Sequence, residues 1–415
     1  MANQGIIVQK YGGSSIANLE KLEKVAEHIK KTGESGKKVV AVVSAMGDTT
    51  NELIRLAKAS YGGELPSEKD LQDEQNKLLV TGEEQSAPLL ALALWRLGVP
   101  AVSLTGREIE LETDVNGKVK VVRGVGEIRS FLGQGKVVVV TGFQGIKETT
   151  KTVVTLGRGG SDITEISLAA SLGEKSCENY TDVDGIYAID PRIIPEAKRF
   201  GQISYYQLIE LATAGGGKLM DRAVILAQNL GVEIRVLLSP SFGESTGGTL
   251  VCSGSALERM ESSESQPGLV IKELRMIKIS NIPNKPGVAG KIFVPLSKIN
   301  LESSIQAPAE KKAEISILCL PGFVGNILSV LKRVKSESLL DIEIAEPASV
   351  AELILVDPLM RERSGYLGRV CQAIGKTGVN IESISSPGIT IELIVQETDL
   401  AKAARAIAEE FQLIA

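Results

Sequence analysis

Short apolar runs at residues 6–10, 39–43, 101–104, 137–140 and 153–156 alternate with longer stretches of helical periodicity, such as 19–31, 50–60 and 70–97. Continuous Val- and Ile-rich runs without polar alternation are what strands covered on both faces look like. The alternation predicts an α/β domain over residues 1–252, an αβα sandwich with a mainly parallel sheet. Residues 253–268 break the pattern. They are rich in Ser and Glu and end in Pro267-Gly268, which predicts an exposed linker.

Beyond the linker the pattern repeats itself. Pro286-Gly287 and Ser364-Gly365 each open a helical stretch, and Asn300 and Asn380 each follow one. Strand-like runs at 275–280 and 351–357 precede the two helices. Others at 313–319 and 389–396 follow the Asn turns, and helical stretches at 324–335 and 400–411 close each copy. The expectation is two βαββα (ferredoxin-like) domains, residues 269–346 and 347–415. Units this small have limited cores and gain by pairing side by side.

Composition narrows the function classes. The chain has 415 residues, 43% hydrophobic and 23% charged, with a net charge of −5. These values fit a folded globular protein. The mild negative charge argues against nucleic-acid binding, which needs a basic stripe. No apolar run reaches the length of a membrane span. The single histidine, His28, leaves no room for a multi-histidine metal site. The four cysteines are scattered, with no C-x-x-C pair, and read as reduced thiols of a cytoplasmic protein.

Two glycine-rich strand-to-helix turns carry the candidate chemistry. The first is Lys10-Tyr11-Gly12-Gly13-Ser14-Ser15, the second Gly157-Arg158-Gly159-Gly160-Ser161-Asp162. Glycines at a helix start let backbone N–H groups approach an anion. Neither turn has the spacing of a Walker A loop or of a dinucleotide-binding fingerprint. Either alone would also suit an ordinary tight turn; the pair, with Lys10 and Arg158, points to an anion site. Asp162 would cap its helix, or hold Lys10 or a metal-nucleotide. Thr49 or Asp48 would cap the helix after residue 43, a start that also offers hydroxyls. Gly82 inside a helical pattern marks a break or close packing. Glu83 is either a solvated residue or a partner for a substrate ammonium. Thr181 to Arg192 has Asp-Gly turn chemistry, and its Tyr187 and Arg192 could frame an adenine and its phosphates; it lacks a calcium-loop pattern. Lys218, after three glycines, could add a second lysine to the phosphates.

Five ordered strings, VQKYGGSSI (8–16), VSAMGDTTNELI (43–54), TGEEQSA (81–87), GRGGSDIT (157–164) and TDVDGIYAIDPR (181–192), together resemble the aspartokinases of the amino-acid kinase family. The two C-terminal repeats are similar to that family's paired ACT modules. The resemblance implies an amino-acid-kinase fold and transfer of the γ-phosphoryl of Mg-ATP to the side-chain carboxylate of L-aspartate. It implies Lys10, Gly13, Ser14 and Asp162 at the reaction centre, with Asp162 ordering the lysine. Thr50, Glu83, Arg158 and Ser161 would hold aspartate. Lys10, Thr181, Asp182, Tyr187, Arg192, Lys218 and Leu219 would hold ATP with Mg2+. It further implies a homo-oligomer paired through the ACT modules, with lysine, threonine or both as effector. Tyr11 and Ser14 stand where the family usually has Phe and Thr, and the segment from Gly216 to Arg222 lacks the family's His-Pro. A non-catalytic amino-acid sensor on a degenerate kinase fold is the alternative.

Overall fold

The computed structural model describes residues 5–114, 118–216, 219–253, 266–299, 301–307, 312–337, 341–361 and 364–415. Most of the expected linker, together with Lys218 and Asn300, lies outside them. The chain divides into two compact units. One comprises Met1–Ala188 and Lys198–Glu264, the other Ile189–Ala197 and Ser265–Ala415.

The first unit is built on an eight-stranded sheet. Its order is Gln202–Ser204, Thr249–Cys252, Glu233–Leu238, Ser176–Thr181, Ile6–Tyr11, Lys38–Val43, Val137–Thr141 and Ala101–Leu104. All neighbours are parallel except Glu233–Leu238 with Thr249–Cys252. The Val-rich runs become the central strands because both faces are covered. Successive side chains alternate between faces. Tyr11, Val39, Ala41, Val43, Val137 and Val139 pack with Val25, Ile29, Leu90 and Leu94, which come from helices Leu19–Glu34 and Thr81–Arg96. Helix Gly160–Ser171 packs against the first strand. Full burial of each Val contributes roughly 1.5–3 kcal/mol.

Three sequence expectations change here. Residues 70–97 form two helices, Lys69–Leu79 and Thr81–Arg96, with the break at Val80. Gly82 explains the close packing at the second start, since a Cβ there would lie 2.8 Å from the Ala45 Cβ. Val153–Thr155 does not join the central sheet. It pairs antiparallel with Gln144–Lys147 in a separate four-stranded sheet, a choice made by a partner close in sequence. The helix after residue 43 begins at Thr49 with Asp48 before it, yet no side chain caps it; Asp48 instead takes Arg55 and Asn51.

The second unit carries both βαββα repeats in one sheet. Strand Gly268–Pro283 extends well beyond the expected 275–280. Its first half pairs with Ala348–Val356 of the second repeat and its second half with Lys312–Cys319 of its own. The local pattern shows only the second partnership. Segment Ile189–Ala197 also belongs to this unit, where Ala197 bridges Ile414 and the Ala415 N–H donates to the Glu196 carbonyl.

Candidate active site

In an open parallel sheet, ligands bind beyond the carboxyl ends of the strands. Three such ends, and the start of the helix Gly160–Ser171, lie together in the first unit. The turn after Tyr11 and the turn after Val43 are joined by the Gly47 N–H donating to the Gly13 carbonyl at 3.0 Å. Gly13 has no alternative there, because a Cβ would lie 2.6 Å from the Ala45 carbonyl oxygen. Ser44 Oγ donates to Ser161 Oγ at 2.9 Å, which ties in the helix Gly160–Ser171. The Gly12 N–H donates to the Tyr180 carbonyl, which ties in the strand Ser176–Thr181.

Parity aims the side chains. In register, Lys10 neighbours Asn179, so both face the helix Gly160–Ser171. Lys10 Nζ lies 2.6 Å from Asp162 Oδ1, with the two side chains only 12% and 8% exposed. Burial disfavours the Lys10 ammonium, but the charge and hydrogen bond of Asp162, with Glu165 and Asp182 adding to them, outweigh that and raise its pKa. Asp162 therefore serves Lys10 and not the helix end, which Gly159 begins in the left-handed conformation at φ 73°.

Glu83, in the first turn of its helix, is 2% exposed. Its Oε1 accepts the Ala45 N–H at 2.9 Å, while its buried Oε2 has no hydrogen-bond partner. Burial pushes its pKa up to about 7. A buried carboxylate with one open oxygen is costly unless a cation meets it. Glu83 thus places an open acidic oxygen at the turn after Val43, which packs on the glycine turn that follows Lys10 and Tyr11.

The remaining expected residues fall as follows. Thr50 is half-buried in the first turn of helix Thr49–Tyr61, Ser161 is buried, and Ser14 is exposed. Arg158 is exposed in the second glycine turn. Arg222 Nη2 donates to the carbonyls of both Leu156 and Arg158, clamping that turn. Thr181 is half-buried and donates to Asp182 at 3.0 Å, and Tyr187 is half-buried and bridges Arg199. Leu219 is buried. Arg192 is not brought to Lys10 by the first unit. It lies in the segment Ile189–Ala197 of the second unit, where it pairs with Asp190.

Sequence reasoning missed Glu165, Asn179, Ser44 and Arg222. One had a readable signal: Glu165 follows Asp162 by three residues, on the same helix face, whereas Asn179 sits among other polar residues in the strand Ser176–Thr181.

The amino acid kinase family matches residues 5–237, more than half the chain, and an ACT domain matches residues 354–411. An aspartokinase from Corynebacterium efficiens is 36% identical over 98% of this chain and 96% of its own length. The chain belongs to the aspartokinase family. Among solved structures, the aspartate kinase of Clostridium acetobutylicum superposes with a TM-score of 0.75 at 22% identity, over 98% of this chain and 100% of that one. E. coli aspartokinase III, solved with aspartate and ADP, gives 0.69 at 21% identity, over 98% and 100%. These two likenesses establish the aspartokinase fold. The membership makes the chain an enzyme of the aspartate kinase class, with an ACT domain in its second repeat.

Proposed function

We propose that the chain transfers the γ-phosphoryl of Mg-ATP to the side-chain carboxylate of L-aspartate, giving 4-phospho-L-aspartate. This would be the first step toward the aspartate-derived amino acids lysine, threonine and methionine. The observations that carry the reading are the buried Lys10–Asp162 pair and the open, buried oxygen of Glu83, which stand on two turns that pack together. A zwitterionic acceptor matches it, with its ammonium at Glu83 and its carboxylates toward Lys10 and Arg158. The bound aspartate and ADP of the E. coli relative support the same substrates.

The acceptor carboxylate, with a pKa near ~4, is ionised at neutral pH and needs no general base. The obstacle is repulsion between this anion and the triphosphate. Positioning and charge neutralisation lower that barrier. Lys10 stays protonated because Asp162 holds it, and its ammonium meets the transferred phosphoryl. Gly13 and Ser14 line the approach, while Thr50, Ser161 and Arg158 orient aspartate. Thr181, Asp182, Tyr187, Lys218 and Leu219 are the proposed nucleotide contacts. Mg2+ would supply further charge neutralisation, held mainly by phosphate oxygens and water. The described residues contain no group of three or more His, Cys, Asp or Glu that could hold a metal ion.

The repeats are proposed to bind lysine, threonine or both, near the turns at Gly287 and Gly365, and to pair chains into a homo-oligomer. A ligand there changes activity only by binding two states unequally. The free thiols, three of them buried, fit a cytoplasmic location. No described helix is long and apolar enough to cross a membrane.

Trapping the acyl phosphate with hydroxylamine across a panel of amino acids tests the reading. Hydroxamate should form with ATP and aspartate. Equal or faster product with glutamate, or none with aspartate, would overturn it.

A further inference from the structure

We infer that Glu165 and Asn179 are positioning residues for the phosphoryl transfer: Glu165 holds the Asn179 amide in one orientation, and that amide fixes the Asp162 carboxylate which aims Lys10. The inference rests on the proposed role of Lys10 at the transferred phosphoryl.

The geometry is a relay through one nitrogen. Asn179 Nδ2 donates to Asp162 Oδ1 at 2.9 Å and to Glu165 Oε2 at 2.8 Å. Lys10 Nζ meets the same Asp162 oxygen at 2.6 Å. Glu165 is 0% exposed and Asn179 2%. A buried amide has two orientations differing by a flip, and the flipped one would turn its oxygen toward both carboxyl groups. Glu165 and Asp162 together therefore allow only the orientation seen. A single ion pair leaves a carboxylate free to rotate; the second donor from Asn179 removes that freedom. Asn179 acts on Lys10 through Asp162, whereas Glu165 acts through Asn179 and, when charged, on Lys10 as well.

The charge state of Glu165 matters as much as its shape. Its neighbours are Asp162 on its own helix, Lys10 from the first strand, and Asn179 and Cys177 from the strand Ser176–Thr181. Burial, then repulsion from Asp162, pushes its pKa up to about 8. Burial likewise raises the Cys177 thiol well above its ordinary value, so it stays neutral in this range. Below about 8, Glu165 is uncharged, and its proton falls to Oε1 because Oε2 accepts the Asn179 amide. The Lys10–Asp162 pair then presents no excess anion to the triphosphate. Above it, a second carboxylate competes for Lys10 and adds a negative charge where a polyanion must bind.

The test uses the full chain with Asn179→Leu, close in volume, and Glu165→Gln, a neutral isostere. Turnover is followed from pH 6 to 9.5. Labelling of Lys10 by an amine-acylating reagent, read by mass spectrometry, is followed without substrates. Asn179→Leu should lower kcat on the order of 10-fold, as loss of an outer partner does, with aspartate KM within about 2-fold. Its Lys10 should label several-fold faster, because an untethered Asp162 protects the ammonium less. Glu165→Gln should keep more than half the parental kcat at pH 7 and lose the parental fall in kcat above about 8. Parental kcat and labelling in Asn179→Leu, or a retained alkaline fall in Glu165→Gln, would overturn the inference. If Asn179→Leu folds poorly, the pH profile of Glu165→Gln decides alone. If the parent does not turn over aspartate, the functional reading fails, and Lys10 labelling still decides the positioning claim.

Discussion

In the first unit Glu83, Asp162, Glu165 and Asn179 are all buried near the carboxyl ends of a parallel sheet. In the second, the first repeat packs Ile277, Ile317, Ile327 and Leu331 into an apolar core, and a buried carboxylate such as Asp357 is matched by the Tyr366 hydroxyl and the Leu359 N–H. The described buried side-chain oxygens without a hydrogen-bond partner, on Ser15, Glu83, Glu165 and Ser167, all belong to the first unit. An unmet buried oxygen costs about 1–3 kcal/mol. Such a cost is expected where a ligand or proton completes the arrangement, and not in a module whose sheet and helices satisfy one another. The contrast favours the first unit as the place of the proposed chemistry.

The sharpest way to break the contrast is to remove its central charge. Lys10→Ala should lower kcat by about 10²–10³, the usual cost of losing one fixed donor to a developing charge, with aspartate binding less affected. Parental turnover would remove Lys10 from the reaction. Next come the acceptor contacts. Arg158→Ala and Glu83→Gln should each raise aspartate KM by about 10–100-fold, the worth of a charge-assisted hydrogen bond. Glu83 adds a pH signature. Only its ionised form attracts an ammonium, so kcat/KM for aspartate should climb with pH through about 7. Glu83→Gln should flatten that rise, and an unchanged profile would assign it to another group.

A smaller effect tests packing. At Gly13 a Cβ would meet the Ala45 carbonyl, a backbone atom with little room to yield, whereas at Gly290, inside a repeat helix, nothing lies within 4 Å. Gly13→Ala should destabilise by about 1–3 kcal/mol and impair turnover. Gly290→Ala should be neutral or stabilising by up to about 1 kcal/mol. Thermal unfolding of both variants reads the difference, and equal shifts would erase it.

Much of this was legible in the chain itself. Period and apolar run length identified the central strands because burial on both faces leaves a continuous Val/Ile record. The glycine turns were legible because close backbone approach excludes side chains, as at Gly13. Local pattern could not show which distant strand pairs with Gly268–Leu274, nor that Val153–Thr155 prefers Gln144–Lys147 to the central sheet. Nor could it show that Asp162 and Glu165 share the Asn179 amide nitrogen beside Lys10, since that depends on the parallel register of Lys10 with Asn179. On the opposite face, a second polar chain linking Gln9, Glu178, Tyr180 and His28 was equally hidden for the same reason.

The subtlest expected effect lies in stability against pH. Glu83 and Glu165, in the first unit, both have pKa values raised by burial, to about 7 and about 8. Above the ordinary carboxylate value of 4.5 the unfolded chain has released these protons while the folded chain still holds them. Their contribution is therefore complete below 4.5 and is lost as pH rises through 7 and then 8. Asp184 has a lowered pKa and acts oppositely, but only below its usual 3.8; His28, whose pKa burial lowers from 6.5, opposes them inside the window, below about 6.5. In the second unit the shifts oppose each other, raised for Glu352 by burial and lowered for Glu382 by its hydrogen bond from Gln396. The melting temperature of the first unit should thus fall between pH 5 and 8, while that of the second should change less. Glu165→Gln holds no titrating proton, so its first-unit melting temperature should depend less on pH than the parent's. A variant that keeps the parental slope would show that Glu165 is ionised across this range, and the proposed neutral bridge to Asn179 would lose its basis.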